Sequence, residues 1–275
     1  MYLTGQTING YELVEVIGRG GYGVVYKARH PDHADYIAVK ALRKSDLEAD
    51  NIALKRFALE AQVISELHHP NIVQNFAYWD DEQGAYLAMP LLTGGNLRAA
   101  LRETGVWSPE RVLVLLEQVV SALETAHQRQ IIHRDIKPEN ILFDETGRAY
   151  LVDFGLAKRL DLPSGLTAKY DMVGSPAYLA PEQMLNIPVT PLVDIYGLGV
   201  VMYEILVGEH PYHDSASDIQ MMMRHLREPF PAMHEKNPAL TPEINAVIHK
   251  AAAKDVPDRY PDVGTLLEAY RAVVP

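Results

Sequence analysis

Residues 133–140 read HRDIKPEN, and those eight positions gather His133, Arg134, Asp135, Lys137 and Asn140. An aspartate in such a loop could simply cap a turn. The text downstream weighs against that reading. DFG follows at Asp153, Phe154 and Gly155, and APE follows at Ala180, Pro181 and Glu182.

Working outward toward the amino terminus, GRGGYGVVYKA begins at Gly18 and sets Gly18, Gly20 and Gly23 in a G-x-G-x-x-G frame, with an extra glycine at 21. A dinucleotide fingerprint needs a helix to start inside the motif, because the pyrophosphate rests on the helix N-terminus. Here the motif runs into Val24, Val25 and Tyr26, which favour a strand. A Walker loop fails as well, since no Gly-Lys-Ser/Thr follows at the required spacing. What remains is a glycine-rich hairpin whose backbone amides can approach phosphates because no side chain blocks them. Such a loop calls for a lysine on the next strand, and IAVK supplies Lys40. Glu60, on the helix that follows, is its candidate ion-pair partner.

Between Tyr11 and Val39 the sequence is strand-like: YELVEVIG, VVYKARH and YIAVKAL, separated by the glycines and by PDHAD. Residues 51–67 read as a helix, with Leu54, Phe57, Ala58, Ala61, Ile64 and Leu67 at helical spacing. HHPN stops it. Two more strand-like runs follow, IVQNFAYW and AYLAMPLL. After Asn96 the character is mostly helical. SPERVLVLLEQVVSALETAHQRQ opens with Ser108 as N-cap and Pro109 in the first turn. Short strands are expected around Ile141 and Tyr150, and helices again from about Pro181. The expected architecture is a small sheet-rich unit followed by a larger helical one, with the seam near Leu92 to Asn96.

HRDIKPEN, DFG and APE, in this order behind the glycine loop and Lys40, resemble the eukaryotic-like (Hanks-type) serine/threonine protein kinases over nearly the whole chain, from about Tyr11 to Arg271. HPNIV, GSPAYLAPEQ and DIYGLGVVMYEIL are most similar to the bacterial branch. The resemblance implies an α+β, bilobal fold. Residues 1–10 would be an N-terminal extension and 11–275 the kinase domain, divided into an antiparallel-sheet N-lobe (11–92) with one regulatory helix and a mainly helical C-lobe (93–275).

The resemblance also implies roles. Asp135 would accept or orient the proton of the substrate hydroxyl, and Lys137 would steady the transferred γ-phosphate of ATP. Asn140 and Asp153 would supply hard oxygen ligands to Mg²⁺, with Mn²⁺ as the alternative cation. Lys40 would hold the α- and β-phosphates while Glu60 holds Lys40. Ile17, Gly18, Arg19, Gly20, Gly21, Tyr22 and Gly23 would form a lid over the nucleotide. Adenine would lie between Val25 and Ala38 on one side and Leu142 on the other. Met89 would be the gatekeeper, with Pro90, Leu91 and Leu92 as the hinge. Many relatives carry an acidic residue where Pro90 stands, but adenine needs only its carbonyl and the Leu92 N–H. Asn75 falls where the family usually stacks an apolar residue, unless a shift of one places Phe76 there.

Arg134 before the aspartate marks members switched by phosphorylation of the activation segment, since an arginine fork can pair with a phosphate. The hydroxyl candidates are Ser164, Thr167, Tyr170 and Ser175; Thr167 is the preferred acceptor, by trans-autophosphorylation in a transient homodimer. Ser175 would contact the catalytic loop. Asp194 would brace that loop, and Arg259 would partner Glu182. The implied activity is transfer of the ATP γ-phosphate to protein serine or threonine hydroxyls. A pseudokinase scaffold is the competing reading, although Lys40, Asp135 and Asp153 are all present. A small-molecule phosphotransferase would be expected to lack the activation segment and APE.

Composition limits the partners. A formal net charge of −11 argues against a nucleic-acid binder or a polybasic membrane-surface protein. With no cysteine, disulfides, thiolate metal sites and cysteine nucleophiles are excluded. MYLTGQTINGYEL lacks a signal-peptide profile, and IYGLGVVMY is too short to span a bilayer. A cytoplasmic location follows as the expectation, for a chain that could be the catalytic domain of a longer protein. His30 with His33, and His210 with His213, lack the carboxylate or cysteine company of a metal site and read as surface histidines. MMMR at 221–224 reads as a helix packed in the C-lobe.

Overall fold

The computed structural model describes residues 3–20, 23–44, 52–154, 158–159, 176–185 and 187–274. Two compact units emerge, Met1–Thr93 and Gly94–Pro275. The first is an antiparallel sheet with one helix and the second is mainly helical, which is the α+β, two-lobed composition expected.

In the first unit the strands are β1 (Thr7–Ile8), β2 (Tyr11–Gly20), β3 (Gly23–Arg29), β4 (Ile37–Arg43), β5 (Ala77–Asp80) and β6 (Gly84–Pro90). They form one sheet in the order β1-β2-β3-β4-β6-β5. Residues expected to be an extension are part of it: Thr7 and Ile8 pair with Glu12 and Tyr11, and Leu3 is buried. Registers pair Gly18 with Val25, Val25 with Lys40, Lys40 with Leu87, and Ala38 with Met89. Because side chains alternate along a strand, these residues share one face. Tyr26, Val39, Ala41, Tyr86 and Ala88 fall on the other face and build the core with Leu13 and Tyr11.

Helix α1 (Ile52–Glu66) buries Phe57, Ala61 and Ile64, three of the positions read from its periodicity. The run IVQNFAYW was expected to be a strand throughout, yet β5 begins only at Ala77. Gln74 and Asn75 explain the delay: their side-chain amides donate to the carbonyls of Leu67, just past α1, and of Ala61 within it, which draws that stretch toward the helix.

The second unit contains α2 (Leu97–Thr104), α3 (Pro109–Gln128), β7 (Ile131–Ile132), β8 (Ile141–Phe143), β9 (Ala149–Leu151), β10 (Lys158–Arg159), α4 (Pro181–Met184), α5 (Leu192–Val207), α6 (Asp218–Arg227), α7 (Met233–Lys236), α8 (Pro242–Ala251) and α9 (Val263–Arg271). Ser108 caps α3 as expected, its side chain accepting from the Arg111 N–H, with Pro109 in the first turn. Helix α5 is buried from Val193 to Val207, and α3 packs against β7, β9 and α9. Gly197 lets α5 approach the 133–140 loop. A Cβ there would sit 3.0 Å from the Cβ of Ile136, tighter than ordinary packing permits. No helix among the described residues is long and apolar enough to cross a membrane.

The surface reading of the histidines holds only in part. His210 is buried, with Nε2 at 2.7 Å from the Ala177 carbonyl. His30 packs against Tyr11 with ring centroids 4.3 Å apart and the rings tilted. Met223 and Ile219 on α6 are exposed, so packing within the lobe does not account for the whole MMMR stretch.

Candidate functional site

The loop that carries HRDIKPEN runs from β7 to β8, entering and leaving through short strands that pin its ends. Inside it, Lys137 Nζ donates to Asp135 Oδ2 at 2.6 Å, and Asn140 Nδ2 donates to the same oxygen at 3.0 Å and to the Asp135 carbonyl at 2.8 Å. Asp135 is only 5% exposed. A buried carboxylate needs such partners, because an unpaired charge away from water is strongly disfavoured.

The loop is braced from α5. Asp194 Oδ1 accepts the Arg134 N–H at 2.8 Å, Oδ2 accepts the His133 N–H at 3.0 Å, and His127 Nε2 lies 2.7 Å from Oδ2. Burial pushes the Asp194 carboxyl up, but the bond and charge of His127, with His133 and the Arg134 amide, outweigh it and hold the group below its ordinary value. Arg134 sits in the left-handed region at φ +69°, a conformation that costs a non-glycine residue about 1–3 kcal/mol. The Asp194 bond to its N–H helps to hold it there. The expected bracing role of Asp194 thus has a definite geometry.

Asp153 follows β9 and also has a positive φ, +66°. Next to it, Phe154 is buried and meets the His133 ring edge-on at 4.7 Å, while His133 Nε2 lies 3.0 Å from the Val152 carbonyl. The Val152 N–H donates to the Asn140 carbonyl at 3.0 Å. The segments bearing Asn140 and Asp153 are therefore stitched together by backbone, which places both oxygen donors on adjoining stretches of chain. Leu142 is half-buried on β8, between pairings to Tyr150 and Asn96.

In the first unit, Lys40 Nζ donates to both carboxylate oxygens of Glu60 at 2.8 Å. Glu60 is 3% exposed, so the pair is shielded from water and screened little by salt. Gly18, Val25, Ala38 and Met89 share the sheet face of Lys40, as the registers above require. Gly23 has φ +125°, and a Cβ there would lie 2.4 Å from the Ala41 carbonyl oxygen. Both conditions demand glycine. Gly20 pairs with Gly23, and Ile17 and Arg19 lie exposed on β2. Pro90 ends β6 past the last pairing with β5, where a missing N–H does little harm. Leu92 follows just beyond it. Gly21, Tyr22, Ser175 and the acceptor candidates Ser164, Thr167 and Tyr170 lie outside the described residues.

The choice between Asn75 and Phe76 resolves in favour of Asn75 facing α1. Asn75 Nδ2 donates to the Ala61 carbonyl at 3.2 Å, whereas the Phe76 ring is half-exposed and lies on His33 at 4.5 Å.

Sequence reasoning paired Glu182 with Arg259, and the structure shows a buried fork at 2.6 and 2.7 Å. It missed a second network. Arg98 on α2 bonds Glu139 of the 133–140 loop at 2.8 Å, as well as Glu204 on α5 and Tyr178, while Tyr178 OH donates to Glu204 at 2.6 Å. Gln183 Nε2 also donates to the Arg134 carbonyl at 3.0 Å, tying APE to the loop. No local pattern announces these contacts, whose partners lie dozens of residues apart.

A family model described as protein kinase domain matches residues 11–268. The serine/threonine-protein kinase PrkC of Bacillus subtilis is 38% identical over 259 residues, covering 94% of this chain and 40% of that protein. PknA, a serine/threonine-protein kinase of Mycobacterium tuberculosis, is 35% identical over 275 residues, covering 98% of this chain and 62% of its own length. PknH of Mycobacterium bovis, another serine/threonine-protein kinase, is 35% identical over 271 residues, 98% of this chain and 45% of PknH. The chain thus spans between about two-fifths and three-fifths of these relatives.

Proposed function

The chain belongs to the protein kinase domain family, and from that premise we propose that it transfers the γ-phosphate of ATP to serine or threonine hydroxyls of proteins. The observation that carries the reading is the Asp135 carboxylate, buried in a loop braced by Asp194 and holding two donors, Lys137 and Asn140, on one oxygen.

Phosphoryl transfer asks a protein chiefly for positioning and charge neutralisation. As the acceptor oxygen bonds to the γ-phosphorus, the bond to the bridging β-oxygen breaks, and the acceptor proton passes toward Asp135. Lys137, a fixed cation beside that carboxylate, neutralises charge gathering on the transferred group. Lys40, oriented by Glu60, binds the α- and β-phosphates. Ile17, Gly18, Arg19, Gly20, Gly21, Tyr22 and Gly23 are assigned to the lid over them. Val25, Ala38 and Leu142 offer apolar contact to adenine, and Met89, Pro90 and Leu92 border it.

The donor set fits a hard divalent cation. Asn140 commits its amide nitrogen to Asp135 and so presents its oxygen, and Asp153 adds a carboxylate. Bound Mg²⁺, or Mn²⁺ in its place, would neutralise phosphate charge. Ser175 is assigned to the contact with the catalytic loop. Arg134 supports activation by trans-autophosphorylation at Thr167 in a transient homodimer. A cytoplasmic setting suits a domain that consumes ATP.

The decisive experiment incubates the protein and its Asp135→Asn variant with labelled ATP, Mg²⁺ and casein as a generic acceptor, then maps the labelled residues. Labelling of serine and threonine that falls by about 10²–10⁴-fold in the variant is expected for loss of a base. Equal labelling of the two proteins refutes the assignment. Phosphate mapped only outside residues 160–176 refutes the activation site.

A further inference from the structure

Two consecutive amides grip the helix that carries Glu60. Asn75 Nδ2 donates to the carbonyl of Ala61, and Gln74 Nε2 donates to the carbonyl of Leu67, the residue after α1 ends. Ala61 is the next residue to Glu60, whose carboxylate takes both bonds from Lys40. Its first turn holds no acidic residue and its last turn no basic one, so charge does not complement its dipole. At the turn bearing Glu60, the buried neighbour Ala61 contributes only a methyl group to packing.

We propose that Asn75 is a positioning residue for the phosphate-binding lysine, holding α1 through the Ala61 carbonyl so that Glu60 stays in register with Lys40. A directional hydrogen bond fixes both the rotation and the axial position of the helix at that turn. An apolar side chain in the same place would resist separation but not sliding or rotation. Gln74 reinforces the grip one and a half turns further on. Only the consequence for ATP binding rests on the phosphoryl-transfer reading; the grip itself, and its effect on the Lys40–Glu60 pair, do not.

The test compares Asn75→Leu, which fills the volume without donating, with wild type in two backgrounds, native Glu60 and Glu60→Gln. Hydrogen exchange of the α1 amides and the dissociation constant for ATP with Mg²⁺ are read in each. With native Glu60, Asn75→Leu is expected to speed exchange over residues 60–66 and to weaken ATP binding about fivefold, the size of one net hydrogen bond. With Glu60→Gln, the added loss in ATP binding should vanish. Asn75→Asp, isosteric but unable to donate as a carboxylate, should behave like Asn75→Leu and serves if the leucine variant does not fold. Native exchange and affinity in Asn75→Leu would assign the position to packing and overturn the proposal, as would equal losses in both backgrounds. If wild type binds ATP yet labels no acceptor, the kinase reading fails while these arms still decide the grip. If it does not bind ATP, unchanged exchange in Asn75→Leu overturns the proposal and faster exchange confined to 60–66 supports it.

Discussion

Lys137 Nζ lies 2.6 Å from Oδ2 of Asp135, the oxygen that also receives the Asn140 amide. With two donors on one oxygen, the carboxylate keeps its other oxygen to accept a proton. Lys137→Met should therefore lower kcat by about 10²-fold, the scale of losing one well-placed donor to transition-state charge. The KM for ATP should change little. Lys137→Arg should recover part of the rate, because charge returns without the point geometry of an ammonium. Steady-state kinetics with a fixed acceptor protein check both variants; an unchanged kcat in Lys137→Met would remove the lysine from the mechanism.

The glycine loop contains two glycines with opposite demands. A methyl group at Gly18 would meet Val25 side-chain carbons at 3.6 Å, an ordinary contact, whereas at Gly23 it would strike the Ala41 carbonyl at 2.4 Å from a left-handed backbone. Gly23→Ala should destabilise the protein by about 1–3 kcal/mol. Gly18→Ala should leave the melting temperature within a degree or two. Thermal melts of the two variants side by side decide the matter, and equal melting temperatures would contradict the β3–β4 register.

How far these features were legible depends on whether the signal is local. The cap of α3 at Ser108, the strands around the glycines and the position of Lys40 on the strand after them all follow from residues close by in the sequence. Asp194 below the catalytic loop and the Glu182–Arg259 pair were reached only through family resemblance, since no periodicity links residues 77 apart. Arg98 with Glu204 is separated by 106 residues and His127 with Asp194 by 67. Neither pair has a motif of its own, so neither was found. The strand read over IVQNFAYW failed for a tertiary reason: the carbonyls of Ala61 in α1 and Leu67 just past it take the side-chain amides of Asn75 and Gln74 and compete with sheet pairing.

The Glu182–Arg259 fork is closed to solvent on both sides, with the guanidinium also donating to the Leu192 and Ala253 carbonyls. Arg259→Met would strand a buried carboxylate and free the three carbonyls of Leu192, Ala253 and Lys254. A loss of about 3–5 kcal/mol is expected in denaturant unfolding. Adding Glu182→Gln removes the stranded charge, so the double variant should be more stable than Arg259→Met alone. If it is less stable, the penalty does not come from the unpaired charge.

Stability should also fall with acid in a window set by buried histidines. His225 faces Tyr196, Tyr212, Phe230 and His210, with the charges of Lys254 and Arg224 nearby. Burial, then His210 and Lys254, push its pKa down to about 2. His210 and His249 are also lowered, by burial first. Each is neutral in the folded protein at a pH where the unfolded chain, titrating near 6.5, takes up a proton. The folded state is thus fully favoured above about pH 6.5 and loses ground as the pH falls from there toward the depressed folded value. For His225 the loss between pH 6.5 and 5 is about 2 kcal/mol. His225→Gln, which cannot titrate, should flatten the decline in melting temperature between pH 7 and 5. An identical slope in the variant would show that His225 does not govern this window.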